Sequence, residues 1–213
     1  MNRPRETSAI IDVALDDDDD DGGWNTVPSG RKERKSTTGA AHPVSSSLLP
    51  DESNPPFMIV LSGIPGSGKS HFAQALSKVN PNRFVRICQD VLGSRAKCER
   101  ASRESLSKGK VPIIDRCNFS PSQRESFLVI AKEHNAPIDC IVFEYSQNEC
   151  IRRCEERPSH ETLNRKNARG VVSKVAREYE PPFENTDLQY FRHMKHISSF
   201  GQSNAAVSEY LLL

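Results

Sequence analysis

Eight consecutive residues, Gly63-Ile64-Pro65-Gly66-Ser67-Gly68-Lys69-Ser70, read G-x-x-x-x-G-K-S. Glycines at these spacings let successive backbone N–H groups turn inward around a phosphate. A helix starting at the end of the loop adds partial positive charge at the same place. In such a loop Lys69 reaches the β- and γ-phosphates, and Ser70 ligates the Mg²⁺ that accompanies the nucleotide. With His71 directly after it, the segment 63–71 is the expected binding set for ATP and Mg²⁺. The other chemistry-bearing residues are two aspartates, Asp90 and Asp115, each placed just after an apolar run. Across the cleft from a phosphate loop, Asp90 is placed to take a proton from an incoming hydroxyl. The bland alternative for it is a helix cap or a pair with Arg95. Asp115 ends the run Val111-Pro112-Ile113-Ile114 and suits a carboxylate that holds Mg²⁺ through water. Its alternative is a structural turn with Asn118.

These groups work only if the backbone brings them together. The apolar run Phe57–Leu61 predicts a strand before the loop, and the spacing from His71 to Leu76 predicts a helix after it. Further strands are expected over 84–88, 111–115, 138–145 and 196–200. Helices are expected over 98–109, from Ser120-Pro121 to about His134, over 146–156 and over 165–180, the last stopped by Pro181-Pro182. Strand and helix alternate throughout, which predicts an α/β fold: a mostly parallel sheet of about five strands with helices on both faces. Right-handed crossovers bring all strand carboxyl ends to one edge, so Asp90 and Asp115 are expected to face the phosphate loop. Arg152, Arg153 and Arg157 surround the end of one helix, beside a polar stretch that suits a closing lid. Either an arginine there closes onto the transferred phosphoryl group, or all three are solvated surface residues.

Composition divides the chain of 213 residues near position 56. The first 56 carry six consecutive aspartates, Asp16 to Asp21, and few periodic apolar residues, so they read as a disordered tail without a core. The tail has six Lys/Arg against eleven Asp/Glu, and the remainder, 57–213, has 23 against 17. A basic domain suits a polyanionic partner, although the same charge spread evenly would attract nothing in particular. Within the tail, Arg31-Lys32-Glu33-Arg34-Lys35 forms a basic cluster of the kind read by nuclear import receptors, which favours a nuclear over a cytoplasmic location. Trp24, the only tryptophan, is a candidate epitope for a protein partner. No apolar leader or membrane-spanning run is visible, so a soluble intracellular protein is expected. The six cysteines lack C-x-x-C pairing and read as reduced structural thiols, with Cys150 and Cys154 sharing one helix face.

Together, Gly63–Ser70, Ile87-Cys88-Gln89-Asp90-Val91-Leu92-Gly93-Ser94 and Ile113-Ile114-Asp115-Arg116-Cys117-Asn118 resemble the kinase domain of the polynucleotide 5′-hydroxyl kinases. The similarity is to the eukaryotic branch, including kinase modules joined to aprataxin-like domains, and runs over about 57–180. It implies a P-loop kinase that uses ATP and Mg²⁺ to phosphorylate the 5′ ends of DNA or RNA, in repair or RNA processing. It further implies that Asp90 is the general base, that Asp115 lies in the active site, and that Arg157 is the lid arginine on the reacting phosphates. The chain departs from the pattern at His71, where the family usually has threonine, and at Gly93, where the bacteriophage enzyme has arginine. Neither a D-x-D-G-T phosphatase motif nor an H-x-H-x-H hydrolase motif is present. Two other readings remain open on the residues alone: a small-molecule P-loop kinase with a closed acceptor pocket, and a nucleotide-dependent adaptor with little turnover.

Overall fold

The computed structural model describes residues 55–156, 167–183 and 189–213, all within one compact unit. Five strands form the sheet: β1 (Met58–Ser62), β2 (Phe84–Cys88), β3 (Val111–Asp115), β4 (Ile138–Phe143) and β5 (His193–Ile197). All pairings are parallel, and the spatial order is β2-β3-β1-β4-β5. The helices are α1 (Lys69–Val79), α2 (Gln89–Leu92), α3 (Arg95–Ser107), α4 (Pro121–Glu133), α5 (Gln147–Glu156), α6 (Ala168–Glu178) and α7 (Phe200–Leu211).

Alternation along β1 shows why the sheet needs helices on both faces. Ile59 and Leu61 join Phe72, Leu76, Ile141, Phe143 and Tyr210 on one face, where α1 and α7 pack. Met58 and Val60 join Cys98, Phe127, Ile130 and Val142 on the other, covered by α3 and α4. Every residue of β1, β3 and β4 is buried, as a strand sandwiched between two helical layers must be.

Two expectations need correction. The fifth strand occupies 193–197 rather than 196–200, because Ser199 leaves the sheet and caps α7 by accepting the Gln202 N–H at 3.2 Å. The chain then ends in a helix that the sequence reading did not anticipate. Asp90 lies not at a strand end but in the first turn of α2, which Gly93 closes at φ 83°. That left-handed position favours glycine, and this is a backbone reason for glycine where the bacteriophage enzyme has arginine. The expected lid stretch, 157–164, and with it Arg157, lies outside the described residues, as do most of the tail's expected features.

Candidate active site

The phosphate loop bridges β1 and α1, and its shape follows from close packing. Gly66 stands at φ 87°, and a Cβ there would fall 2.4 Å from the Cys150 carbonyl oxygen and 2.8 Å from the Cys154 sulfur. The two cysteines do share a helix face, and that face of α5 presses on the loop from outside. Burial pushes the Cys150 thiol up to about 11, so it packs as a neutral group. Gly68, by contrast, would place a Cβ in open space, and as N-cap of α1 it contributes no side-chain cap. The first-turn N–H groups of α1 therefore have no capping side chain, and no acidic residue stands in that turn. This donor set fits an anionic phosphate chain.

Lys69 is buried and curls back into the loop. Its ammonium donates to the carbonyls of Gly63 at 2.7 Å and Ile64 at 2.8 Å, and to the Ser67 hydroxyl at 3.3 Å. Three oxygens hold the charge where phosphate oxygens would otherwise meet it. Ser70 donates to Asp115 Oδ1 at 3.1 Å, across from α1 to the end of β3. A serine hydroxyl and a buried carboxylate side by side form an oxygen donor pair suited to Mg²⁺, directly or through water. Asp115 is thus tied to the loop, and the alternative turn with Asn118 does not occur. Asn118 instead donates to the Leu61 carbonyl at 2.7 Å.

One member of the site was missed. Arg86, in the middle of β2, donates from Nε to Asp115 Oδ2 at 2.6 Å and from Nη2 to the Cys88 sulfur at 3.3 Å. Strand register would have found it: Cys88 pairs with Asp115 and Arg86 with Ile113, so period two puts Arg86 and Asp115 on the face of α1. Burial raises the Cys88 thiol, and the negative charges of Asp115 and Asp90 raise it further. Asp115 ends β3 and Asp90 lies two residues beyond the end of β2, so both stand at the carboxyl ends of neighbouring parallel strands.

The arginines of α5 are engaged on its surface. Arg152 bonds Glu149 and Glu156, while Arg153 bonds Glu149 and lies 4.0 Å over the Tyr145 ring. Arg95, considered as a partner for Asp90, pairs with Glu99 at 2.8 Å. His71 is exposed and its ring lies tilted against that of Phe200, with centroids 5.6 Å apart.

A parallel sheet with a phosphate loop after its central strand, and a serine–aspartate pair beside the lysine, is a known architecture. The chain has the P-loop kinase fold. A fungal RNA kinase of known structure shares that fold, with a TM-score of 0.59 and 18% identity over 74% of this chain and 44% of the other. The family model described as "AAA domain" matches residues 94–182, beginning beyond the phosphate loop. Two relatives are similar in sequence. The transcription factor bHLH140 of Arabidopsis thaliana is 34% identical over 134 residues, 60% of this chain and 15% of its own length. The bifunctional polynucleotide phosphatase/kinase of Schizosaccharomyces pombe is 37% identical over 90 residues, 42% of this chain and 22% of its own length. The chain therefore spans less than a quarter of either relative. The resemblance to polynucleotide kinases read from the motifs stands. Among the described residues, no helix of this P-loop kinase fold is long and apolar enough to cross a membrane.

Proposed function

We propose that this chain transfers the γ-phosphoryl group of ATP to the 5′-hydroxyl of DNA or RNA ends. The observation that carries the reading is the meeting of Lys69, Ser70, Asp115 and Arg86 at one sheet edge, with Asp90 opening the next helix. The relative named as a polynucleotide phosphatase/kinase supports the choice of acceptor.

In this reading the backbone of 63–71 cradles the triphosphate, and Lys69 exchanges the Gly63 and Ile64 carbonyls for β- and γ-phosphate oxygens. Mg²⁺ would supply charge neutralisation across those oxygens, held by Ser70 and Asp115. Arg86 orients the Asp115 carboxylate through their 2.6 Å ion pair. Asp90 accepts the proton of the acceptor hydroxyl as its oxygen bonds to the γ-phosphorus. The bond from that phosphorus to the bridging oxygen breaks, and ADP leaves. Arg157, outside the described residues, is assigned to the phosphoryl group in transit. The basic charge of 57–213 suits a nucleic-acid strand, and the basic cluster at 31–35 would direct the protein to the nucleus, with Trp24 docking a protein partner.

A single-turnover assay with γ-labelled ATP, a 5′-hydroxyl oligonucleotide and a nucleoside control tests the reading. Label on the oligonucleotide is expected. Label on the nucleoside alone would make this a small-molecule kinase, and ATP binding with no transfer to either would make it an adaptor.

A further inference from the structure

Two exposed rings stand where the phosphate loop ends, and phosphate chemistry uses neither. His71 is the third residue of α1, next to Ser70. Phe200 is the first residue of α7, reached from the carboxyl end of β5, and all strands of the parallel sheet end at that same edge. Phe200 is 60% exposed, yet its ring stands 5.6 Å from that of His71 at 34°. The Phe200 ring is open to water at the sheet edge where the ligand loop lies, while α7 is anchored on the core through Ala206 and Tyr210. A Cβ on the neighbouring Gly201 would approach nothing closer than the Ser199 hydroxyl at 4.0 Å, so the backbone beside the ring is uncovered as well.

We infer that His71 and Phe200 form a stacking shelf for the base of the bound nucleoside triphosphate, with Phe200 as the main contact. The inference rests on the nucleotide reading of the loop and adds how the base is held. In this inference a triphosphate seated over the N-terminus of α1 has its ribose end toward His71, the residue after Ser70. The base then falls on the outer side of that helix, toward Phe200. An aromatic face takes any base, and favours the larger purines, because stacking uses the π-surface rather than hydrogen-bonding edges. His71, where the family usually has threonine, then adds a second aromatic ring beside Phe200. ATP and GTP are expected to bind alike, and CTP and UTP more weakly.

The test measures binding of ATP and of inorganic tripolyphosphate to the full chain and to Phe200→Ala, Phe200→Tyr and His71→Ala. Phe200→Ala is expected to weaken ATP about tenfold, the lower range for losing one base–aromatic stack, and to leave tripolyphosphate unchanged. Phe200→Tyr should bind ATP as the parent does, and His71→Ala should lose less than Phe200→Ala. Unchanged ATP affinity in Phe200→Ala overturns the shelf. So does an equal loss for ATP and tripolyphosphate, which would place Phe200 behind the loop rather than under the base. A parent chain that binds neither ligand removes the nucleotide reading itself, and the shelf with it.

Discussion

Two buried aspartates lie on the same face of the sheet, at opposite ends, and they are held in different ways. Asp139, near the start of β4, takes both nitrogens of the Arg192 fork at 2.7 and 2.9 Å, the His193 ring at 3.2 Å and the Tyr210 hydroxyl at 3.1 Å. The Arg192 guanidinium also lies 4.6 Å over Phe57. This cluster joins the chain around β1, β4, β5 and α7, and its partners Arg192 and Tyr210 also pack on Phe57, a duty to the fold. Asp115, at the far end of β3, has Ser70 and Arg86. One of these is a loop hydroxyl that can turn to another ligand. The comparison separates a carboxylate whose partners serve the fold from one whose partners remain exchangeable, and exchangeability belongs to the end where the phosphate loop lies.

The largest effect that would break this comparison is at the loop. Lys69→Ala should reduce phosphoryl transfer by about 10³-fold or more, the scale for losing a preorganised group on developing charge, with the fold retained. Near-normal turnover in a folded variant would remove the loop from catalysis. At the other end the effect should fall on stability. Asp139→Ala is expected to cost about 3 kcal/mol, the low end for breaking a buried pair, because the Arg192 side chain is 34% exposed and partly solvated. Turnover of the folded fraction should be unchanged, as denaturant titration and activity together would show.

Tyr210→Phe removes one donor to the Asp139 carboxylate and should cost about 1.5 kcal/mol by the same titration, with no change in ATP affinity. The smallest effect is on the surface of α5. Arg152 and Arg153 hold the Glu149 carboxyl down at about 2 by hydrogen bonds. Its folded value lies below its unfolded one, so this stabilisation is fully present above about pH 4.5 and fades as pH falls toward 2. Glu149→Gln should therefore shift the acid limb of a stability profile slightly and leave neutral pH nearly untouched, and added salt should erase the difference.

How much of this was legible in the sequence depended on whether the signal was local. The runs forming β2 and β3 were readable to the residue, β3 because a strand buried on both faces is almost wholly apolar, and β2 because its apolar residues flank a single arginine. The loop and Asp115 were legible as a motif at the end of such a run. β5 was misplaced because an edge strand with mostly exposed or half-exposed residues, His-Met-Lys-His-Ile, carries no clean alternation. Reading Phe200 as the end of that strand also hid the Ser199 cap and the helix behind it. Arg86 and the His71–Phe200 pair were invisible for a different reason. One needs the register between two strands, the other a contact between the first helix and the last, and neither leaves a trace in local spacing.

The central claim, that the exchangeable end of the sheet transfers phosphate to a nucleic-acid 5′ end, is tested most directly by Asp90→Asn. Single-turnover transfer to a 5′-hydroxyl oligonucleotide should fall by roughly 10²–10⁴-fold while ATP affinity is kept, because asparagine preserves the shape and removes only the base. Unchanged transfer, or a parallel loss of nucleotide affinity, would contradict it.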